Sequence, residues 1–261
     1  MTEVKAIVLR AAGINCDLET QHALELAGAK VQRIHINRII EQKNLLNDFQ
    51  IIVFPGGFSY GDDVAAGQIL ANQVIHHLYE PVKKFIDDGK IVLGICNGFQ
   101  VLVKTGILPG IDSERKRDLV TITYNDSGRF DDRWVYLQPG TKKCIFINPD
   151  QRIYLPIAHG EGKVVTKDNN VLETLKNNGH IAFRYVDADG QTGHWPVNPN
   201  GSIDSIAGLT DSTGRVLGLM PHPERFVRKT QHPRWTRINN DSIADGMSIF
   251  TNAVKYIKEN L

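Results

Sequence analysis

The chain has 261 residues, 41% of them apolar and 23% charged, with 30 basic side chains against 29 acidic ones and a net charge of +1. That length allows one large or two small domains with a sizeable core, and the near-neutral balance gives no reason to expect a nucleic acid or an anionic membrane as partner. Three widely spaced cysteines, Cys16, Cys96 and Cys144, suggest neither a disulfide framework nor a zinc site, so a cytoplasmic protein with reduced thiols is expected.

The chain opens with "VKAIVLR", a short apolar strand with no long apolar leader before it. Asp17 is placed to cap a helix carrying Leu18, Ala23, Leu26 and Ala27, closed by Gly28. "KVQRIHI" and "FQIIVFPGG" read as further strands. Residues 66 to 88 have helical spacing (Ile69, Leu70, Val74, Leu78, Val82, Phe85), with Pro81 a candidate kink. Then come a strand at "IVLGI" and a helix closed by Gly106. Apolar runs reach only about five residues, too short to span a bilayer. Strand and helix alternating in this way imply a parallel sheet covered on both faces.

From about residue 118 the pattern changes to short strands between turn residues: "LVTITY", "RWVYLQ", "RIYLPIA", "HIAFRYV", "SIAGLT" and "RVLGLM". One helix is expected near 169 to 177. We read this half as an antiparallel extension of the same sheet, making residues 1 to 261 a single domain. Ile243, Met247, Phe250, Val254 and Ile257 fall on one face of a closing helix.

The stretch "GICNGFQ" carries the chemistry. Gly94-Ile95-Cys96-Asn97-Gly98 has the Gly-x-nucleophile-x-Gly pattern of a strand-to-helix elbow. Its glycines suit close backbone approach and unusual φ values, and a helix N-terminus favours an anionic sulfur. The alternative is an inert buried cysteine. A nucleophile needs a base with an orienting partner, and two His-x-Glu tripeptides offer one: His159 with Glu161 in "IAHGEG", and His222 with Glu224 in "LMPHPER". In extended backbone, residues two apart share a side, so either Glu could hold its His. Pro221 and Pro223 make the second pair the stiffer one, and "VLGLM" should end at the same sheet edge as the Cys96 strand; His222 is therefore preferred.

Cys16, in "AAGINCDLE", is a rival nucleophile that lacks the second glycine and has Asp17 beside it to disfavour the thiolate. Cys144 reads as a strand residue. An oxyanion would find one donor in the Asn97 N–H and a second from a glycine of "FPGGFSYGDD".

These motifs resemble those of the class I (triad) glutamine amidotransferases. "GINCD", "PGGFSYGDD", "NDSGRF", "AHGEG", "NPNGS" and "GLMPHPER", spread from residue 13 to 225, are similar to the branch that forms the glutaminase subunits of phosphoribosylformylglycinamidine synthases. The resemblance implies a flavodoxin-like α/β fold: a central, mostly parallel sheet with helices on both faces and an antiparallel extension. It implies Cys96 as nucleophile on L-glutamine, His222 as proton carrier, Glu224 as its orienter, Gly57 and Asn97 as oxyanion donors, and Gly56 and Gln100 as substrate contacts. "AHGEG" would then be structural or lie at a partner contact. Ammonia would pass to a synthetase subunit, with a small third subunit possible. ATP and Mg would belong to that synthetase, since the chain has no phosphate loop; no metal or cofactor is expected here. Two features depart from shorter members: Val64-Ala65-Ala66-Gly67 after "GDD", and a basic extension over 225 to 240. Through residue 237 the extension carries Arg225, Arg228, Lys229, Arg234 and Arg237 and no acid, suiting a solvated loop or docking to an acidic surface. The competing readings are a related cysteine peptidase or deglycase, and a scaffold subunit without catalysis.

Overall fold

The computed structural model describes residues 3–111, 117–237 and 244–261. The first half runs β1 (Lys5–Arg10), α1 (Asp17–Leu26), β2 (Lys30–His35), α2 (Ile36–Glu41), β3 (Ile51–Phe54), α3 (Gln68–Gln73), α4 (Tyr79–Asp87), β4 (Ile91–Ile95) and α5 (Asn97–Thr105). The second runs β5 (Val120–Tyr124), β6 (Asp131–Pro139), β7 (Ile153–His159), β8 (Glu161–Thr166), α6 (Asn169–Asn177), β9 (Ile181–Val186), β10 (Ile206–Thr210), β11 (Val216–Leu219) and α7 (Asp245–Asn260).

Among the described residues, nine strands form one sheet in the order β2-β1-β3-β4-β11-β10-β9-β6-β7. The pairs from β2 through to β11 are parallel and the rest antiparallel. Every residue of β3 and β4 is buried, as strands covered on both faces must be, and this explains their continuous apolar sequences. The expected architecture is observed. β11, read with the antiparallel half, pairs parallel with β4 and so ends at the Cys96 edge as expected, and β5 departs from the expected single sheet by pairing with β8 in a separate two-stranded one. A strand with alternating exposure can pair wherever its buried face finds cover, and periodicity does not say which sheet that is.

The helix expected over 66 to 88 is continuous but not uniform. Val74–Leu78 forms a π-helical turn between α3 and α4. Pro81 is the third residue of α4, just past that turn, and has no N–H to give to the carbonyl four residues back. Its ring crowds the carbonyl four residues back, at His77, so the helix widens one turn before the proline. Asp17 does not cap α1; Cys16 holds that position without a side-chain hydrogen bond. The Asp17 carboxylate instead pairs with Arg10 at 3.0 Å and Arg33 at 2.9 Å, tying α1 to β1 and β2. Cys144 lies in irregular chain just before a turn, not in a strand. Met247, Phe250, Val254 and Ile257 line the buried face of α7 as expected; Ile243 and the end of the basic extension, residues 238 to 240, lie outside the described residues.

Candidate active site

Cys96 stands between β4 and α5 with φ 50° and ψ −106°. A non-glycine residue rarely holds that backbone, and it costs on the order of 1–3 kcal/mol that the surrounding packing must offset. The positive φ is carried by the cysteine itself. Gly94 and Gly98 serve close approach instead: a Cβ on Gly98 would lie 1.9 Å from the Phe54 carbonyl oxygen, and one on Gly94 2.6 Å from Leu102. The glycines let α5 press onto the sheet, and that pressure holds the turn.

β11 lies beside β4 in parallel, with Leu219 paired to Ile95, and the Cys96 N–H donates to the Leu219 carbonyl at 2.8 Å. The segment Met220-Pro221-His222 therefore leaves the sheet at the same edge as Cys96. The His222 N–H donates to the Pro156 carbonyl at 2.8 Å. Glu224 is reached through a tight helical turn over Pro223–Arg225, not through the extended backbone expected from the spacing. The pairing expected from the sequence still forms: His222 Nδ1 donates to Glu224 Oε1 at 2.5 Å. Both side chains are almost fully buried, and Cys96 nearly so. Burial alone would lower the His222 pKa. The Glu224 carboxylate outweighs it, helped by the Cys96 and Cys16 sulfurs acting on the ring, and the imidazole is held well above its ordinary value.

The loop after β3 lies against the loop after β1. Gly57, at φ 141°, forms an isolated antiparallel bridge with Ile14, and a side chain there would meet Ile14 Cα and the Asn15 nitrogen at 2.8 Å. Gly56 faces the triad: a Cβ on it would stand 2.8 Å from His222 Cε1 and 3.1 Å from Cys16 Sγ. Asn97 opens α5, where first-turn N–H groups have no partner within the helix. Its side chain bolts that turn to the glycine loop. Oδ1 accepts from the Ser59 N–H at 3.2 Å, while Nδ2 donates to Asp62 Oδ1 at 3.2 Å and Gln100 Oε1 at 3.0 Å. Gln100 is buried, and its Nε2 donates to the Glu161 carbonyl at 2.6 Å. Gln100 thus ties the start of β8 to the elbow helix.

The second His-x-Glu pair does not form. His159 Nδ1 meets Asn125 Oδ1 at 3.1 Å, while Asn125 Nδ2 donates to the His159 carbonyl at 2.9 Å. Burial and the neighbouring His222 lower its pKa to about 4. Cys16 is also buried, and burial, not Asp17, raises its thiol pKa. Its sulfur accepts from Arg225 Nη2 at 3.2 Å, and Arg225 Nε donates to Glu19 Oε1 at 3.0 Å. Arg225, the first residue of the basic extension, therefore faces inward. Phe226 is buried too, packed edge-on against Trp134.

The supporting roles of Asp62 and Asn125 were not anticipated from the sequence. The available signal was a short polar side chain in a turn that contains a glycine, the type that binds nearby backbone groups.

A family model described as a CobB/CobQ-like glutamine amidotransferase domain matches residues 3–257. The chain belongs to this family. It is 46% identical to the phosphoribosylformylglycinamidine synthase subunit PurQ of Dehalococcoides mccartyi, covering 99% of this chain and 100% of that one. It is 40% identical to the protein of the same name from Archaeoglobus fulgidus, with 98% of each covered. Among solved structures, a chain of PurLQS from Thermotoga maritima superposes with a TM-score of 0.73 at 30% identity, over 98% of this chain and 100% of that one. The glutaminase domain of a Trypanosoma brucei CTPS, at 14% identity and a TM-score of 0.58, covering 99% of this chain and 94% of that one, is alike in fold alone. Among the described residues, no helix is long and apolar enough to cross a membrane.

Proposed function

We propose that this chain is the glutaminase subunit of a phosphoribosylformylglycinamidine synthase. It hydrolyses L-glutamine and hands ammonia to the ATP-dependent synthetase subunit, which converts formylglycinamide ribonucleotide to the amidine. The observation that carries this reading is the strained Cys96 at a strand-to-helix elbow, one strand away from a buried His222–Glu224 pair.

In this reading Cys96 Sγ attacks the side-chain amide carbon while His222 takes the thiol proton. The developing oxyanion lies between the Gly57 and Asn97 N–H groups, which the Asn97 side chain keeps in register. His222 then gives its proton to the departing nitrogen, ammonia leaves, and a γ-glutamyl thioester remains. Water attacks the thioester with His222 again as base, and glutamate and the free thiol are regenerated. Glu224 favours the imidazolium that forms twice in this cycle. Gly56 and Gln100 are the substrate contacts. Acyl transfer of this kind needs no cofactor or metal from this chain; ATP and Mg serve the partner.

Beside the oxyanion loop Phe58 and Phe130 are exposed and face each other at 6.5 Å, an apolar spot suited to cover by the synthetase. One continuous apolar core supports a single working domain, and three free thiols suit the cytoplasm. The test is glutamate release from glutamine with and without the synthetase and its substrates, for wild type and Cys96→Ala. Partner-stimulated release that disappears in Cys96→Ala is expected. Full activity in Cys96→Ala would overturn the assignment.

A further inference from the structure

One corner of the site holds more lone pairs than the triad uses. Cys16 Sγ, a carboxylate oxygen of Glu19, a ring nitrogen of His222 and a carboxylate oxygen of Glu224 all lie within 4.8 Å of one another. Glu224 is 1% exposed, and its Oε2 is buried with no hydrogen-bond partner; His222 Nε2 is likewise unpartnered. An orphaned carboxylate oxygen beside a thiol and an imidazole is an unusual thing to bury. It is also the donor mixture that zinc accepts: sulfur, imidazole nitrogen and carboxylate oxygen.

We propose that Cys16, Glu19, His222 and Glu224 form a site for a thiophilic divalent cation of the zinc class, and that its occupation silences the triad. Donors around a tetrahedral zinc stand about 3.3–3.8 Å apart, given metal–ligand distances of about 2.0–2.3 Å. A cluster already within 4.8 Å can reach that by side-chain rotation. Binding releases one proton from the Cys16 thiol and one from the His222 imidazolium, and the metal–thiolate and metal–imidazole bonds form in their place alongside those to the two carboxylates. A dication with one thiolate and two carboxylates carries a formal charge of −1. The Arg225 guanidinium, already in contact with Cys16 and Glu19, supplies the balancing positive charge once its contact to the sulfur is given up. A metal-bound His222 can no longer take the Cys96 proton, so glutamine hydrolysis stops. The silencing rests on the glutaminase reading; the binding does not.

Cys96 with His222 could also attract such an ion, so the first measurement removes that sulfur. Cobalt(II) is titrated into the full-length Cys96→Ala chain while thiolate-to-metal charge-transfer absorption is followed. One equivalent should bind with that signature, which disappears when Cys16→Ser is added. Adding Glu19→Gln, a shape-conserving change at the half-buried end of the cluster, should weaken binding by at least about ten-fold, with circular dichroism confirming the fold. In the synthetase complex, zinc should inhibit glutamate release reversibly by chelator, and Glu19→Gln should raise the half-inhibiting concentration by a similar factor. No charge-transfer band in Cys96→Ala, or a band that survives Cys16→Ser, would overturn the site. A band without any glutaminase activity in the wild-type complex would leave the site standing and overturn the functional reading instead.

Discussion

Gly98, the second residue of α5, has no space for a methyl group. A Cβ there would lie 1.9 Å from the Phe54 carbonyl oxygen, 2.5 Å from the carbonyl carbon and 2.8 Å from the Phe54 Cβ. The obstruction is mostly main chain in the middle of the sheet, which cannot rotate away. A tolerable C···O contact is about 3.3 Å, so Gly98→Ala must lift the start of α5 by about 1.4 Å. Overpacking of this kind should cost about 3 kcal/mol, or about 6–12 °C in Tm for a chain of this size. The lift also displaces Cys96 and the Asn97 N–H relative to Gly57 and His222. A misplacement near 1 Å lowers turnover by about 10²-fold. Denaturant melts followed by circular dichroism, together with glutamate release in the synthetase complex, measure both effects. Gly128→Ala is the control: Gly128 has φ +62° but nothing within 4 Å of its missing Cβ, so only a backbone cost of about 1 kcal/mol is expected, with turnover intact. If Gly98→Ala is no less stable than Gly128→Ala and keeps wild-type turnover, the packing account of the elbow is wrong.

Glu224→Gln should lower the pH at which the His222 imidazole titrates, because burial is then opposed only by the Cys96 and Cys16 sulfurs. The part of wild-type stability that comes from the raised pKa is complete below pH 6.5 and fades as pH rises through the native value. The variant should lose that dependence. Ring-proton NMR reads the shift, and an unchanged titration would show that Glu224 is not the source. His159 has the opposite sign: neutral in the fold down to about pH 4, it gains a proton on unfolding below 6.5. Its contribution is therefore complete above pH 6.5 and lost as pH falls toward 4, by up to about 3 kcal/mol. His159→Gln should flatten stability across that window in urea melts at pH 7 and pH 5; an unaltered slope would place the acid sensitivity elsewhere.

Much of this was readable in the sequence because the signals are local. "IIVF" and "IVLGI", apolar throughout and bounded by turn residues, read as strands, and each residue of a strand covered on both faces must leave water. The helix expected near 169 to 177 forms as α6 over Asn169–Asn177, with Asp168 as its cap. The Gly-x-Cys-x-Gly run marks the elbow because no other residues permit that approach of helix to sheet. The choice between two His-x-Glu pairs could be argued from the flanking prolines, but tertiary structure decided it. β11 had to land beside β4 for His222 to emerge next to Cys96, while Asn125, 34 residues away in sequence, claimed His159. The same holds for the Asn97 bolt to Ser59 and for the return of Arg225 across the chain to Cys16 and Glu19. Spacing along the chain specifies periodic structure and tight turns. Hydrogen-bond partners separated by tens to hundreds of residues are selected only when strand order and helix packing bring them within reach, and no local pattern encodes that order.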